Sequence, residues 1–264
     1  MMNQKITRKT ALVALAALLW LLPLGASAQT VRGDYDYDGD CDVTDVITLI
    51  GYLLNDEWGD IPQDIERDTI TVKGVSIVMV HVEGGTLVRE DGSRYEIGDF
   101  WICQTEVTRE LWAALMGGNP ANQRYASDER SWNDCQAFIN ELNALTGRTF
   151  RLPTSTEWEF AARGGKRSRG YTYCGGNDLD VVGWYKKNAD KVMPVGLLKC
   201  NELGLYDMSG NVWEWCQDGS PESESMKYKC GGASSGTAER NTPSERSLAN
   251  ASTTIPYNGF RLAM

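Results

Sequence analysis

Residues 203–216 read LGLYDMSGNVWEWC. Gly210-Asn211 is a turn pair, because both residues tolerate positive φ. Val212, Trp213 and Trp215 form a short strand behind it, whose large rings need a core to cover them. Two acids, Asp207 and Glu214, flank the bend. Hard oxygen ligands converging on a turn suit Ca²⁺. The same residues also fit a structural role, Asp207 capping the turn and Glu214 partnering a buried arginine. Spacing leaves both readings open.

Upstream, Thr154 with Glu157 three residues on is a capping box, opening a helix that runs to Gly164-Gly165 with Trp158 and Ala161 or Ala162 packed inward. Arg151 and Glu159 are expected to form a buried ion pair and not a catalytic one. A second box at Ser131 and Asp134 opens a helix lined by Phe138, Ile139, Leu142 and Leu145 up to Gly147. Residues 105–116 place Val107, Leu111 and Leu115 on one helical face. Residues 70–80 alternate and are β-branched, which predicts one strand, turned back at Gly84-Gly85 into Thr86, Leu87 and Val88. His81, the single histidine, is read as a satisfied side chain. Residues 166–264 are loop-rich, with short strands predicted at 183–185 and 212–215. Loops this long are functional or metal-tied in compact domains.

The N-terminal region reads differently. Lys5, Arg8 and Lys9, an apolar run over 11–22, and Ala26-Ser27-Ala28 make residues 1–28 a signal peptide. The run is too short for a confident span, and Gln29 follows the cut, so no stable membrane anchor is expected after cleavage. The mature protein is expected to be exported: periplasmic, cell-surface or secreted. Residues 33–45, GDYDYDGDCDVTD, place Asp34, Asp36, Asp38, Asp40, Asp42 and Asp45 at EF-hand ligand positions, with Gly39 at the bend. An apolar helical pattern follows over 43–54. The loop resembles a dockerin repeat, which implies a small calcium module at 30–55 and a possible docking partner. Dockerins carry two repeats and one is found here. Residues 56–69 read as a linker.

Of 264 residues, 42% are hydrophobic and 23% charged, ordinary for a globular chain. A net charge of −10 argues against a nucleic-acid partner. The seven cysteines are Cys41, Cys103, Cys135, Cys174, Cys200, Cys216 and Cys230, an odd count with no CxxC. An exported compartment permits disulfides, with connectivity open.

Residues 203–216 resemble the signature of the formylglycine-generating enzyme family, or sulfatase-modifying factor domain. Residues 147–165 (GRTFRLPTSTEWEFAARGG), 100–117 (FWICQTEVTRELWAALMG) and 259–263 (GFRLA) are similar to three further family motifs, in order, over about 70–264. The resemblance implies an α+β, irregular fold related to C-type lectins, with calcium pinning its loops. It implies Ca²⁺ ligation by Asp207, by the carbonyls of Gly210 and Val212, and by Glu214. Asn188 matches the start of a second family calcium segment.

The family's oxidases use two cysteines that bind Cu(I), soft ligands for a soft cation. They follow an Arg-Gly-Gly-Ser-Trp strand. The matching stretch here is KCGGASSG, 229–236, with Ser234 at the tryptophan position and no cysteine after Cys230. Copper is therefore not expected. Cys216 and Cys230 are the remaining candidates for a relocated pair, against a structural disulfide or separate buried thiols. A sister branch with three-histidine iron is excluded by the lone His81. Residues 233–257 are small and polar, and resemble the variable segment of retroelement-diversified proteins on this scaffold. Ser234, Ser235, Thr237, Glu239, Arg240, Asn241 and Asn250 are the candidate contacts for a protein or small-molecule ligand; an ordinary polar loop is the alternative. The expectation is a calcium-stabilised binding or display scaffold without oxidase activity. The rival is a divergent oxidase or sulfatase-maturation factor.

Overall fold

The computed structural model describes residues 62–119, 121–189 and 191–264. The predicted signal peptide, the acidic loop 34–45 and most of the linker lie outside the described residues. Strands β1 (Arg67–Val72) and β2 (Val75–Val82) form an antiparallel hairpin, Arg67 opposite Val80. The single strand expected over 70–80 is thus broken at Lys73-Gly74, which adopt φ of 49° and 87°. Two left-handed residues in a row make the tight turn whose twist matches the flanking strands.

β2 pairs onward with β5 (Phe100–Cys103), Met79 opposite Cys103. Gly84-Gly85 therefore does not fold β2 back on itself. Instead β3 (Gly85–Val88) pairs with β4 (Arg94–Ile97) as a separate ribbon. Gly84 allows this approach, since a Cβ there would lie 2.4 Å from the Ile97 carbonyl oxygen.

Helix α1 (Arg109–Met116) starts later than expected because Thr108 caps it, its hydroxyl accepting from the Leu111 N–H at 3.2 Å. Both predicted capping boxes form, opening α2 (Trp132–Thr146) and α3 (Ser155–Ala162). Gly147 ends α2 in the left-handed region. Leu145, expected on the buried face of α2, is 49% exposed, lying near the helix end beyond the packed turns. A short helix, α4 (Leu179–Val182), precedes the strand expected at 183–185, which amounts to a single bridge between Trp184 and Gly210.

The C-terminal sheet has the order β8 (Arg246–Asn250), β7 (Met226–Cys230), β6 (Trp213–Gly219), β9 (Asn258–Gly259), with β9 parallel to β6. The polar segment 233–257 is thus not all loop, since β8 lies inside it. The result is a mixed α and β fold with two main apolar cores. One surrounds Trp158, with Ile102, Leu205, Cys216 and Cys230; the other holds Phe138, Leu142, Trp215 and Phe260. No helix among the described residues is long and apolar enough to cross a membrane.

The expected Arg151–Glu159 pair is re-partnered. Arg151 binds Glu157 through two 2.7 Å hydrogen bonds, because the capping glutamate faces it. Glu159 binds Arg89 at 2.7 Å and Arg163, one helical turn on, at 2.9 Å.

Phe260 is fully buried, its ring edge-on to Phe138 at 5.3 Å and to Trp112 at 6.2 Å. Phe260→Ala should cost about 3–5 kcal/mol in urea unfolding, the range for an aromatic cavity in a packed core.

Candidate functional site

Alternation along β6 sends Glu214 and Cys216 to one face and Trp213 to the other. Glu214 meets Arg261, which the terminal GFRLA run delivers to the same place. Both side chains are at most 1% exposed. Arg261 Nε and Nη2 donate to the two Glu214 oxygens at 2.7 Å each, and the Trp158 indole N–H donates to Glu214 at 2.6 Å. The other guanidinium N–H groups reach the carbonyls of Cys103, Gln104 and Tyr206. Burial would lower the Arg261 pKa, but the paired carboxylate outweighs it and holds the pKa above its ordinary value. Of the two roles open for Glu214, this is the arginine partner. Its oxygens face three N–H donors out of the roughly four acceptor sites a carboxylate offers, which leaves little capacity for a cation as well.

Asp207 fits better. It sits 3% exposed at φ 58°, and one oxygen accepts the Gly196 N–H at 2.7 Å. Its other oxygen, Oδ1, is buried with no partner. Glu106, 1% exposed, lies nearby and accepts from the Asn211 side chain at 2.8 Å and the Val212 N–H at 3.3 Å. Sequence reading missed Glu106, although it lies within the 100–117 motif, because nothing local marks it as buried. Burial raises the Asp207 pKa to about 6, opposed by the Gly196 hydrogen bond and by Arg261. Burial, with the Asp207 and Glu214 charges, raises Glu106 well above the usual carboxylate range. Three buried acids thus share one buried cation. An orphaned carboxylate oxygen in such a place suits a hard divalent ion. Among the described residues no cluster of three or more His, Cys, Asp or Glu side chains surrounds a common point, so carbonyl oxygens must complete any shell. Asn188 instead serves structure, accepting from the Tyr185 N–H at 2.9 Å and donating to the Gly183 carbonyl.

Cys216 and Cys230 do converge. Glu214 is opposite Cys230, so Cys216, two residues along, shares that face, and the two sulfurs are 3.6 Å apart. They are 0% and 2% exposed within the Trp158 core. Burial, then the neighbouring Cys230, pushes the Cys216 thiol well up, and burial pushes Cys174 in the same core up to about 12. The thiolate is the reactive form, so burial keeps Cys216 and Cys174 as sealed, unreactive thiols.

The candidate ligand contacts divide. Ser235, Thr237, Glu239, Arg240 and Asn250 are exposed, but Ser234 and Asn241 are fully buried and do not present to a ligand. Asn241 packs on Gly232, where a Cβ would lie 2.0 Å from its Oδ1, and it donates to the Thr237 carbonyl at 2.8 Å. The Ser234 N–H donates to the Asn211 carbonyl at 2.9 Å, tying the segment to the signature turn. Asn250 ends β8, about 13 Å along the strand from Arg246. The fold does not bring it together with the Ser235–Arg240 group.

A profile of the sulfatase-modifying factor enzyme 1-like domain matches residues 65–264. The chain belongs to this family. Its match begins two residues before β1, earlier than the boundary expected at 70. The chaperone protein LppX of Paenibacillus barcinonensis is 32% identical, over 54% of this chain and 71% of its own length. A formylglycine-generating enzyme of Thermomonospora curvata is 37% identical over 33% of this chain, which covers 31% of that enzyme. The solved structure of Treponema denticola variable protein 1 superposes with a TM-score of 0.69 at 26% identity, covering 75% of this chain and 98% of that one.

In this sulfatase-modifying factor domain, Glu214→Gln should cost about 3–5 kcal/mol, because it leaves a buried guanidinium unpaired. Adding Arg261→Met should recover much of that loss, and a double-mutant cycle in urea measures the coupling. Asp207 has a folded pKa of about 6 against 3.8 unfolded, so its contribution to stability is fully present below pH 3.8 and lost as pH rises through about 6. Asp207→Asn should therefore gain on the parent by roughly 3 kcal/mol between pH 4 and pH 8 in chelator, read from paired urea curves.

Proposed function

We propose that this protein is a non-oxidising, calcium-stabilised scaffold that presents the surface part of residues 233–257 to a ligand. The observation that carries this reading is the state of the sulfurs. No cysteine follows Cys230 in the sequence, and the pair that converges among the described residues, Cys216 and Cys230, is buried in an apolar core where burial pushes the Cys216 thiol well up. A cysteine-oxidising centre needs thiolates that a substrate can reach. The framework around them is nonetheless complete, and Ser235, Thr237, Glu239 and Arg240 project from it. Likeness to a protein named for its variability supports the display role.

Ca²⁺ would be held by Asp207 Oδ1 and the carbonyls of Gly210 and Val212, where it would neutralise buried negative charge. On sequence alone, the loop 34–45 would hold a second ion through Asp34, Asp36, Asp38, Asp40, Asp42 and Asp45. A signal peptide at residues 1–28, the reading the sequence favours, would put the mature chain outside the cytoplasm, where calcium would be available to both.

The 3.6 Å sulfur separation favours a second reading, a relocated copper pair in a divergent oxidase. Titrating the reduced protein with Cu(I) against a chelating competitor decides between them. The scaffold reading expects no stoichiometric copper binding and no conversion of a cysteine peptide to formylglycine. One equivalent of Cu(I), lost in Cys216→Ser, would overturn it. Ca²⁺ should raise the melting temperature of the parent and leave Asp207→Asn unchanged.

A further inference from the structure

On the face of β6 and β7 turned away from Glu214, positive charge outweighs the acceptors that meet it. Lys229 is 9% exposed, and among the described residues its ammonium has one hydrogen-bond partner, the neutral Oδ1 of Asn258 at 3.1 Å. It lies over the Trp213 ring, 4.9 Å from the centroid, and the Arg240 guanidinium lies 5.8 Å from the same centroid. Two cations thus crowd one indole. Arg240 has Glu245 on its Nε at 2.9 Å, but among the described residues no carboxylate bonds Lys229. Asn258, fully buried, directs its oxygen to Lys229 and leaves its own Nδ2 with no acceptor. A buried ammonium with two unused N–H groups, beside an orphaned amide N–H, is costly to keep unless an acceptor completes it. Burial, and then Arg240, lowers the Lys229 pKa to about 8, in keeping with a missing anion.

We propose that Lys229, Asn258 and Arg240 form a seat for an oxyanion group, a carboxylate or phosphate on a ligand whose body lies against Trp213. Each of the three residues brings N–H donors, and each has a distinct part. Lys229 supplies charge at the base. Asn258 fixes the ammonium and offers its free N–H beside it. Arg240, more than half exposed, closes from the rim with the planar fork that matches either anion. Because Arg240 belongs to the surface segment, the inference deepens the display reading and rests on it: the segment would choose the ligand, and the fixed base would grip its anionic group.

The test uses the full chain after signal removal, titrated with sodium acetate or inorganic phosphate at constant ionic strength, with chloride as control. Side-chain NMR signals of Asn258 and the Trp213 indole report binding. Saturable shifts in the millimolar range are expected, with affinity falling up to about tenfold per pH unit above 8 as Lys229 loses its charge. The tighter of the two anions identifies the group the seat prefers. Lys229→Met should weaken binding at least about tenfold and Arg240→Gln about threefold, the loss of a central and a rim charge contact. Asn258→Asp supplies the anion from within, so it should abolish binding and return Lys229 towards its ordinary pKa; it decides the matter if Lys229→Met misfolds. Linear shifts without saturation, or unchanged binding in Asn258→Asp, would overturn the seat. A ligand captured by residues 233–257 without any anion binding would sink the seat alone, whereas copper-dependent oxidation would sink the display reading beneath it.

Discussion

The whole domain closes on one buried ion pair. Arg261 comes from the chain's last strand-like run and Glu214 from β6, and between them they hold the ends of segments far apart in sequence. The guanidinium bridges the carbonyls of Cys103 at the end of β5, of Gln104 just beyond it, and of Tyr206 before the signature turn. Taking both charges out of water is costly, and the pair is tolerable because every polar edge finds a partner. The Trp158 indole supplies the last donor from α3. Remove one charge and the other is stranded where no water can reach it, so the sequence must keep WEW, GFR and the Trp158 helix together or lose all three.

That frame explains how chemistry and fold can part company. Gly231 and Gly232 are held by packing against Trp158 and Asn241, where added Cβ atoms would lie 2.8 Å and 2.0 Å from those side chains. Neither contact involves a catalytic sulfur. The segment that follows is anchored at its buried points, Ser234 and Asn241, and is free to differ between them. A surface loop fixed at anchors and open elsewhere suits recognition better than redox work, which needs several groups held at once.

What the sequence made legible was local. The capping boxes at Ser131 and Thr154 and the turn at Gly210-Asn211 are written in adjacent residues, and they form as expected. The Lys73-Gly74 turn was hidden because β-branched residues alternate on both sides of it. Partner choice was not legible either: Arg151 takes Glu157 and Glu159 takes Arg89, since which acid faces which base depends on how helix α3 rotates against β3. The charge of Glu214 admitted two roles, and only the arrival of Arg261, 47 residues later, separates them. The meeting of Cys216 with Cys230 needs the register of β6 on β7, which no single strand encodes. Glu106 and Lys229 lie inside the 100–117 and 229–236 stretches, but neither is singled out there; burial alone makes them exceptional.

Those last two residues point to a common logic. Around the signature strand the fold leaves charge uncompensated at two places of opposite sign. On the inner side Glu106, Asp207 and Glu214 face a single buried arginine. On the outer side Lys229 and Arg240 share one indole with no carboxylate on the ammonium. A chain selected for stability alone could relieve either strain with one substitution, an amide for Asp207 or a methionine for Lys229. Keeping both is reasonable if each is relieved by something bound: a hard cation beneath the turn, an oxyanion above the strand. The two would then act in sequence. The cation would fix the turn that carries Asn211 and, through the Asn211–Ser234 bond, the start of the 233–257 segment; that segment would in turn carry Arg240 to the rim of the seat. In that arrangement calcium would set the posture of the recognition surface without touching the ligand, which would be a reason for a non-oxidising scaffold to keep a metal.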